Sequence, residues 1–321
     1  MKTTSFFTPV QDEIHLVEDL LRHQADDAHP NLHVALEHLL NSGGKRIRPT
    51  LTLLAGRMLG APKDRLITLA GAVELLHTAT LVHDDLIDGA MLRRGNPTLN
   101  AQWSPPATVL AGDYMFARAA RLAADTDNLA LMKYFAQTLA TIVNGELTQL
   151  FSNRGMISRE NYFQRIYAKT ASLLELTTSA AAMLSPVGED VVETMHRFGY
   201  NLGIAFQIVD DVLDFTGEEG EVGKPVGSDL MQGLVTLPVI CYAESHPEDP
   251  GVVYLTSGRY GDVDIESRLV QSVRVSDAID TSMQEAGTYI DKALASLAGM
   301  PGGSEHDSLE ELAKYTLHRR I

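Results

Sequence analysis

Residues 81–98 read LVHDDLIDGAMLRRGNPT, and residues 206–230 read FQIVDDVLDFTGEEGEVGKPVGSDL. Each stretch sets three aspartates at i, i+1 and i+4 ahead of a glycine: Asp84, Asp85 and Asp88 before Gly89, and Asp210, Asp211 and Asp214 before Gly217. That spacing gathers three carboxylates within one helical turn, and the glycine marks the turn's end. Leu81, Val82, Leu86 and Ile87 surround the first set, and Phe206, Ile208, Val209, Val212 and Leu213 the second. Both helices are therefore expected to be buried except along a carboxylate stripe.

Such an arrangement works against stability. Like charges one turn apart repel, and carboxylates at a helix C-terminus oppose the macrodipole by roughly 0.3–1 kcal/mol each. A hard divalent cation relieves both costs, because Mg²⁺ takes oxygen ligands, keeps several waters and bridges carboxylates to substrate phosphates. The spacing thus points to a diphosphate held through metal. Helical counting extends the stripes: His77 shares a face with Asp84 and Asp88, and Gln207 with Asp210 and Asp214.

Outward from these motifs the chain reads as helix, with apolar periodicity broken by short Gly/Pro or Asn/Asp segments and no sustained alternation. Helices are expected at 11–25, 31–42, 48–60, 64–88, 106–124, 128–152, 159–184, 189–214 and 228–245. Residues 246–266 read as loop, and 299–307 as a break before a short C-terminal helix. The expected fold is all-α, a single domain over residues 1–321 in which long helices enclose a deep central cavity.

Composition narrows the function. A net charge of −16 over 321 residues argues against nucleic-acid binding, which needs clustered Lys and Arg. The single cysteine, Cys241, allows no internal disulfide and reads as a buried thiol, in keeping with a cytoplasmic protein. Asp12 and Glu13 interrupt the N-terminal segment, and Glu74 and His77 interrupt the most apolar stretch, so neither a secretion signal nor a membrane span is expected. The few basic residues fall in compact places: Lys45, Arg46 and Arg48 in GGKRIRP, Arg93 and Arg94 after the first cluster, and Lys224 after the second. Arginine's planar fork suits phosphate oxygens; Arg46 alone is assigned to solvated surface.

These motifs resemble the trans-isoprenyl diphosphate synthases, most of all the medium- and long-chain members. GGKRIRP, LLHTATLVHDDLIDGAMLRRGNPT, AKTASL, FQIVDDVLDFTG, GKPVGSDL and TLPVI follow the family's order from about Gly43 to Pro238, with a weaker echo in LAKYTLHRRI at the C-terminus. The resemblance implies two aspartate motifs facing each other across a cavity. It implies that Asp84, Asp85, Asp88 and Asp210 ligate about three Mg²⁺ ions, with Asp211 and Asp214 completing the second motif partly through water. Arg93, Lys169 and Lys224 would contact the allylic diphosphate, and Lys45, Arg48, His77 and Arg94 isopentenyl diphosphate. Thr170 and Gln207 would stabilise an allylic cation, and Asp229 would orient Lys224 or a metal-bound water. Leu234 departs from the pattern, standing where many relatives carry a lysine.

The same resemblance implies a homodimer, transient membrane contact for product release, and a length-setting position five residues before the first aspartate. Here that position is Ala79, followed by Thr80, where short-chain relatives carry an aromatic ring. Small residues there imply a product longer than C20, in the C25–C50 range, with Tyr134, Phe135 or Leu139 as candidates for a deeper floor. A farnesyl or geranylgeranyl synthase is the alternative. A terpene cyclase would have no need for the GGKRIRP, His77 and Arg94 set. A metal-dependent phosphohydrolase built on His83 and Asp84 would leave the second cluster unexplained, and the intact motifs argue against a non-catalytic prenyl-binding subunit.

Overall fold

The computed structural model describes residues 5–151, 155–217 and 226–319. Helices dominate, and the described strands are two residues each, Leu92–Arg93 (β1) and Asn96–Pro97 (β2), paired antiparallel. In order, the longer helices are α1 (Gln11–Arg22), α2 (Pro30–Asn41), α3 (Ile47–Met58) and α4 (Lys63–Ile87). After the short α5 (Leu99–Gln102) come α6 (Pro105–Ala124), α7 (Leu129–Phe151), α8 (Arg159–Ile166), α9 (Ser172–Met183) and α10 (Glu189–Thr216). The all-α expectation holds, and the expected helices up to 124 fall within three residues of those observed, α1 ending at Arg22 instead of residue 25.

Three expectations are corrected. Residues 159–184 are not one α-helix: a π-turn, Tyr167–Ala171, separates α8 from α9. Residues 228–245 form two helices, α11 (Ser228–Met231) and α12 (Leu237–Ser245). Gly233 takes φ +79° between them, and Pro238 starts the second, where its missing N–H costs no hydrogen bond. The stretch 246–266 contains α13 (Pro250–Thr256) and the start of α14 (Val263–Arg274), because Asp249 and Asp262 each cap a helix with their carboxylates. Two further helices, α15 (Ala278–Leu297) and α16 (Ser304–His318), complete the described chain.

The chain gathers into two compact units. One comprises Met1–Thr138, Glu175–His196 and Gly299–Glu311, and the other Leu139–Leu174, Arg197–Ala298 and Leu312–Ile321. In the first unit α4 packs against α1, α3 and, most extensively, α6. The close approach of α6 rests on Gly112, where an added Cβ would lie 2.2 Å from His83 Nε2. By length and hydropathy α4 could cross a membrane, but most of its apolar window is core of this unit. The second unit's core joins Tyr162 and Ile166 of α8 to Ile204, Ile208 and Phe215 of α10, and to Leu237, Val239 and Ile240 of α12. Cys241 is buried as expected, but beside a charge, since Arg159 Nη2 lies 3.3 Å from its sulfur.

Candidate active site

The first aspartate cluster occupies the last turn of α4. The Asp88 N–H closes that turn on the Asp84 carbonyl, and Gly89 leaves the helix at φ +64°, as its place in the sequence required. The β1–β2 hairpin then brings Arg93 back, so that its Nε meets both oxygens of Asp85 at 2.9 and 3.1 Å and its Nη2 meets Oδ1 at 2.8 Å. Asp85 is buried, Asp84 half-buried and Asp88 exposed. The cluster is thus divided: Asp84 and Asp88 share one face, while Asp85 anchors the hairpin.

Arg94 extends the same hairpin in a left-handed conformation, φ +53°, unusual for a residue with a Cβ. Its Nη1 donates to the Gly43 carbonyl, tying the hairpin to the GGKRIRP segment. Beside it His77 is held well below its usual range, first by burial and then by Arg48, Arg94, Arg93 and Arg46. Burial and Arg93 likewise depress Arg94, with Glu74 opposing. Cations brought together in this way around a neutral imidazole describe a site for a polyanion. Lys45 is exposed at the edge of the same segment.

Arg46 contradicts its assignment to solvated surface. Its Nε donates to Glu18 at 3.0 Å, Nη1 to Glu74 at 3.1 Å and Nη2 to the Leu40 carbonyl at 2.8 Å, with the side chain 15% exposed. The reason is that Glu74 is buried mid-helix in α4 and requires a cation. His83 also turns away from the cluster: its Nε2 lies 3.1 Å from the Val109 carbonyl, against α6. This removes the histidine–aspartate pair on which a phosphohydrolase would depend.

In the second unit the three aspartates of α10 have different surroundings. Asp210, 43% exposed, forms an ion pair with Arg319. Asp211 is buried, accepting from Tyr162 Oη at 2.7 Å and Gln207 Nε2 at 2.8 Å. Burial, then the charge of Asp229, raises its pKa to about 7 against the pull of those hydrogen bonds. Asp214 accepts from Ser228 Oγ at 2.7 Å and from the Asp229 N–H at 3.2 Å, holding the start of α11. The expected face shared by Gln207, Asp210 and Asp214 is corrected on one point: the Gln207 amide bonds Asp211, four residues on.

The π-turn carries Lys169 and Thr170. A π-turn inserts one residue into the helical repeat and so re-aims the side chains it bears. Thr170 Oγ1 donates to Gln207 Oε1 at 2.7 Å, so a continuous chain of hydrogen bonds runs from Thr170 through Gln207 to Asp211 and Tyr162. Lys169 Nζ lies 3.3 Å from Glu146. Two glycines admit the turn: a Cβ on Gly145 would lie 2.5 Å from the Ala168 Cβ, and one on Gly203 2.5 Å from the Ala171 Cα.

The Polyprenyl synthetase family profile matches residues 29–260. The chain is 38% identical to heptaprenyl diphosphate synthase component 2 of Geobacillus stearothermophilus, over 98% of each chain. It belongs to the polyprenyl synthetase family.

Solved members of the family share the all-α isoprenoid synthase fold. A polyprenyl synthase from Caulobacter crescentus CB15, complexed with calcium and isoprenyl diphosphate, superposes with a TM-score of 0.91 at 33% identity over 100% of each chain. A decaprenyl diphosphate synthase from Rhodobacter capsulatus gives 0.88 at 33% identity over 98% of each. This polyprenyl synthetase is therefore an enzyme that transfers prenyl groups.

Ala79 is fully buried in α4, and Thr80 is half-buried with its hydroxyl on the His77 carbonyl at 2.7 Å. Phe135 is buried, Leu139 is half-buried, and Tyr134 donates to Glu175 on α9, which also meets His196 Nε2 at 2.9 Å. Asp229 and Leu234 are half-buried, the Leu234 N–H bonding the Asp229 carbonyl at 2.8 Å. Lys224 lies outside the described residues. Tyr162, Glu146, Ser228 and Arg319 join the site without having been singled out from the sequence. Tyr162 had a local signal as an aromatic hydroxyl two turns before Lys169, and Ser228 and Arg319 lie within the GKPVGSDL and LAKYTLHRRI segments.

The donors fit a hard divalent cation. In the first unit Asp84 and Asp88, and in the second Asp210, offer oxygens that solvent reaches at least in part, while beside Asp210 the buried Arg319 Nε has no hydrogen-bond partner among the described residues. Among the described residues no three carboxylates, imidazoles or thiolates close a shell by themselves. Water and substrate oxygens would complete it, as Mg²⁺ prefers.

Proposed function

We propose that the enzyme condenses an allylic prenyl diphosphate with isopentenyl diphosphate, head to tail, and repeats the step to a product of C25–C50. The observation that carries this reading is the pairing of two aspartate clusters with a separate cationic group around a neutral His77, because one diphosphate bound through metal and another bound by Arg and Lys require both. Arg48, Arg94, Lys45 and His77 hold isopentenyl diphosphate. Arg93, Lys169 and Lys224 contact the allylic diphosphate, while Asp229 steadies the segment that carries Lys224. When bound, Mg²⁺, about three ions, offsets the charge released as the allylic C–O bond breaks.

The protein's own groups govern the rest. Thr170 fixes the Gln207 amide, whose oxygen retains a lone pair toward a developing cation without forming a bond to it. Arg94 and His77 keep the diphosphate of the second substrate in place while its double bond attacks. The proton lost in restoring the alkene passes to the departing diphosphate. Ala79 and Thr80 leave room for a growing tail, and the names of two relatives, counting seven and ten prenyl units, support a product beyond C20.

Both units serve one catalytic domain in the cytoplasm, assembled as a homodimer, with transient membrane contact at product release. The name "component 2" borne by one relative makes a two-component enzyme the other assembly. Incubating the purified chain alone with geranyl or farnesyl diphosphate, isopentenyl diphosphate and Mg²⁺ tests these points. Products longer than C20 by mass spectrometry, abolished by excess chelator, are expected. Inactivity of the pure chain would require a second component, and full activity in chelator would overturn the metal assignment.

A further inference from the structure

The C-terminal arginine beside the second aspartate cluster has no place in the mechanism so far. Arg319 follows α16 by one residue, yet its side chain is only 9% exposed. Its Nη2 donates to the Phe206 carbonyl at 2.6 Å and to Asp210 Oδ1, and its guanidinium lies over the Phe206 ring, 3.7 Å from the centroid. The Nε is buried and meets no acceptor among the described residues. An arginine nine-tenths buried with an unused donor is costly unless a ligand meets that donor.

We propose that Arg319 is a built-in counter-cation for Asp210, which makes metal binding at the second cluster conditional on the arrival of a diphosphate. The inference rests on Asp210 being a metal ligand. A guanidinium and a divalent cation drawn to the same carboxylate repel one another across a few ångströms of partly buried space. A bare metal ion must therefore displace Arg319 or bind against its charge. A diphosphate removes the conflict, since its negative charge offsets both cations and its oxygens accept from the guanidinium. Arg319 lies beyond the last turn of α16, so its side chain can shift without unwinding that helix.

Mn²⁺ titration followed by electron paramagnetic resonance tests this on the full chain. Arg319→Gln, and Arg319→Met as a second neutral variant that keeps contact with the Phe206 ring, should each bind Mn²⁺ alone about tenfold more tightly than the unaltered enzyme. Saturating inorganic pyrophosphate should narrow the gap to about threefold or less. Adding Asp210→Asn to either variant should abolish the gain, as the two side chains act on the same ion. Unchanged Mn²⁺ affinity in the neutral variants, with weakened binding in Asp210→Asn alone, would overturn the counter-cation while leaving the metal site intact. Unchanged binding and turnover in Asp210→Asn would overturn the metal reading itself.

Discussion

His77 is a neutral imidazole in a cationic neighbourhood, and this gives its titration a definite sign. Burial and four arginines depress its pKa in the folded protein below the unfolded value near 6.5. As pH falls through that value, the unfolded chain takes up a proton that the folded chain refuses, so stability is lost toward acid. His77→Gln should therefore lose less melting temperature than the unaltered enzyme between pH 7 and pH 5. Parallel curves would show that the arginines do not act on this ring. Arg46 is the converse case, a cation that the fold itself needs. Arg46→Ala strands buried Glu74 and should cost about 3–5 kcal/mol in urea unfolding; a loss below about 1 kcal/mol would return Arg46 to the surface class. The sequence could not reveal this, because both carboxylate partners lie 28 residues away. The aspartate clusters were legible because their chemistry is contained in five consecutive residues. Which aspartate is buried was not legible, since Tyr162 and Gln207 decide it for Asp211 and the hairpin arginine decides it for Asp85.

At the scale of elements, periodicity located the long helices but passed over the π-turn between α8 and α9. One inserted residue scarcely disturbs a hydrophobic pattern twenty-six residues long, so 159–184 reads as continuous. The visible trace lay elsewhere, in Gly145 and Gly203, which admit the turn from α7 and α10. The short helices after 228 depart from the pattern for a related reason: Gly233 and Pro238 divide a segment whose periodicity suggests one helix, while Asp249–Pro250 starts a helix within an otherwise loop-like stretch. If the π-turn positions Lys169 and Thr170, crowding it should affect chemistry beyond stability. Gly203→Ala places a methyl against the Ala171 backbone, which cannot rotate away, and should cost about 1–3 kcal/mol. Its kcat should fall more than its KM for isopentenyl diphosphate changes. Gly287→Ala is the control, in a helix where nothing lies within 4 Å of the added carbon; it should be neutral or stabilising by up to about 1 kcal/mol. A Gly203→Ala enzyme with unaltered kcat would detach the turn from catalysis.

For the whole molecule, the decisive fact is how the chain divides its chemistry. Asp84 and Asp88 belong to one compact unit and Asp210 to the other, and the chain passes between the units five times, four of them inside continuous helices, at 138–139 in α7, 174–175 in α9, 196–197 in α10 and 311–312 in α16, and once at 298–299, just past the end of α15. Units joined by four crossings through helix interiors cannot be separated by cutting one linker, as domains joined by a single exposed segment can. If they form one catalytic domain, the two aspartate clusters act in a single turnover, and substitution can test this where truncation cannot. Asp84→Ala and Asp210→Ala should each lower turnover by several orders of magnitude at unchanged helical content by circular dichroism. The informative step is to produce the two variants together in one cell, with different affinity tags, and purify the assemblies that carry both. If each chain draws both clusters from itself, every chain in a mixed assembly is defective and activity stays at the level of the single variants. If a turnover draws one cluster from each of two chains, some pairings contain two intact clusters and a substantial fraction of activity returns. We expect no recovery, and recovery would assign the active site to the assembly instead of the chain.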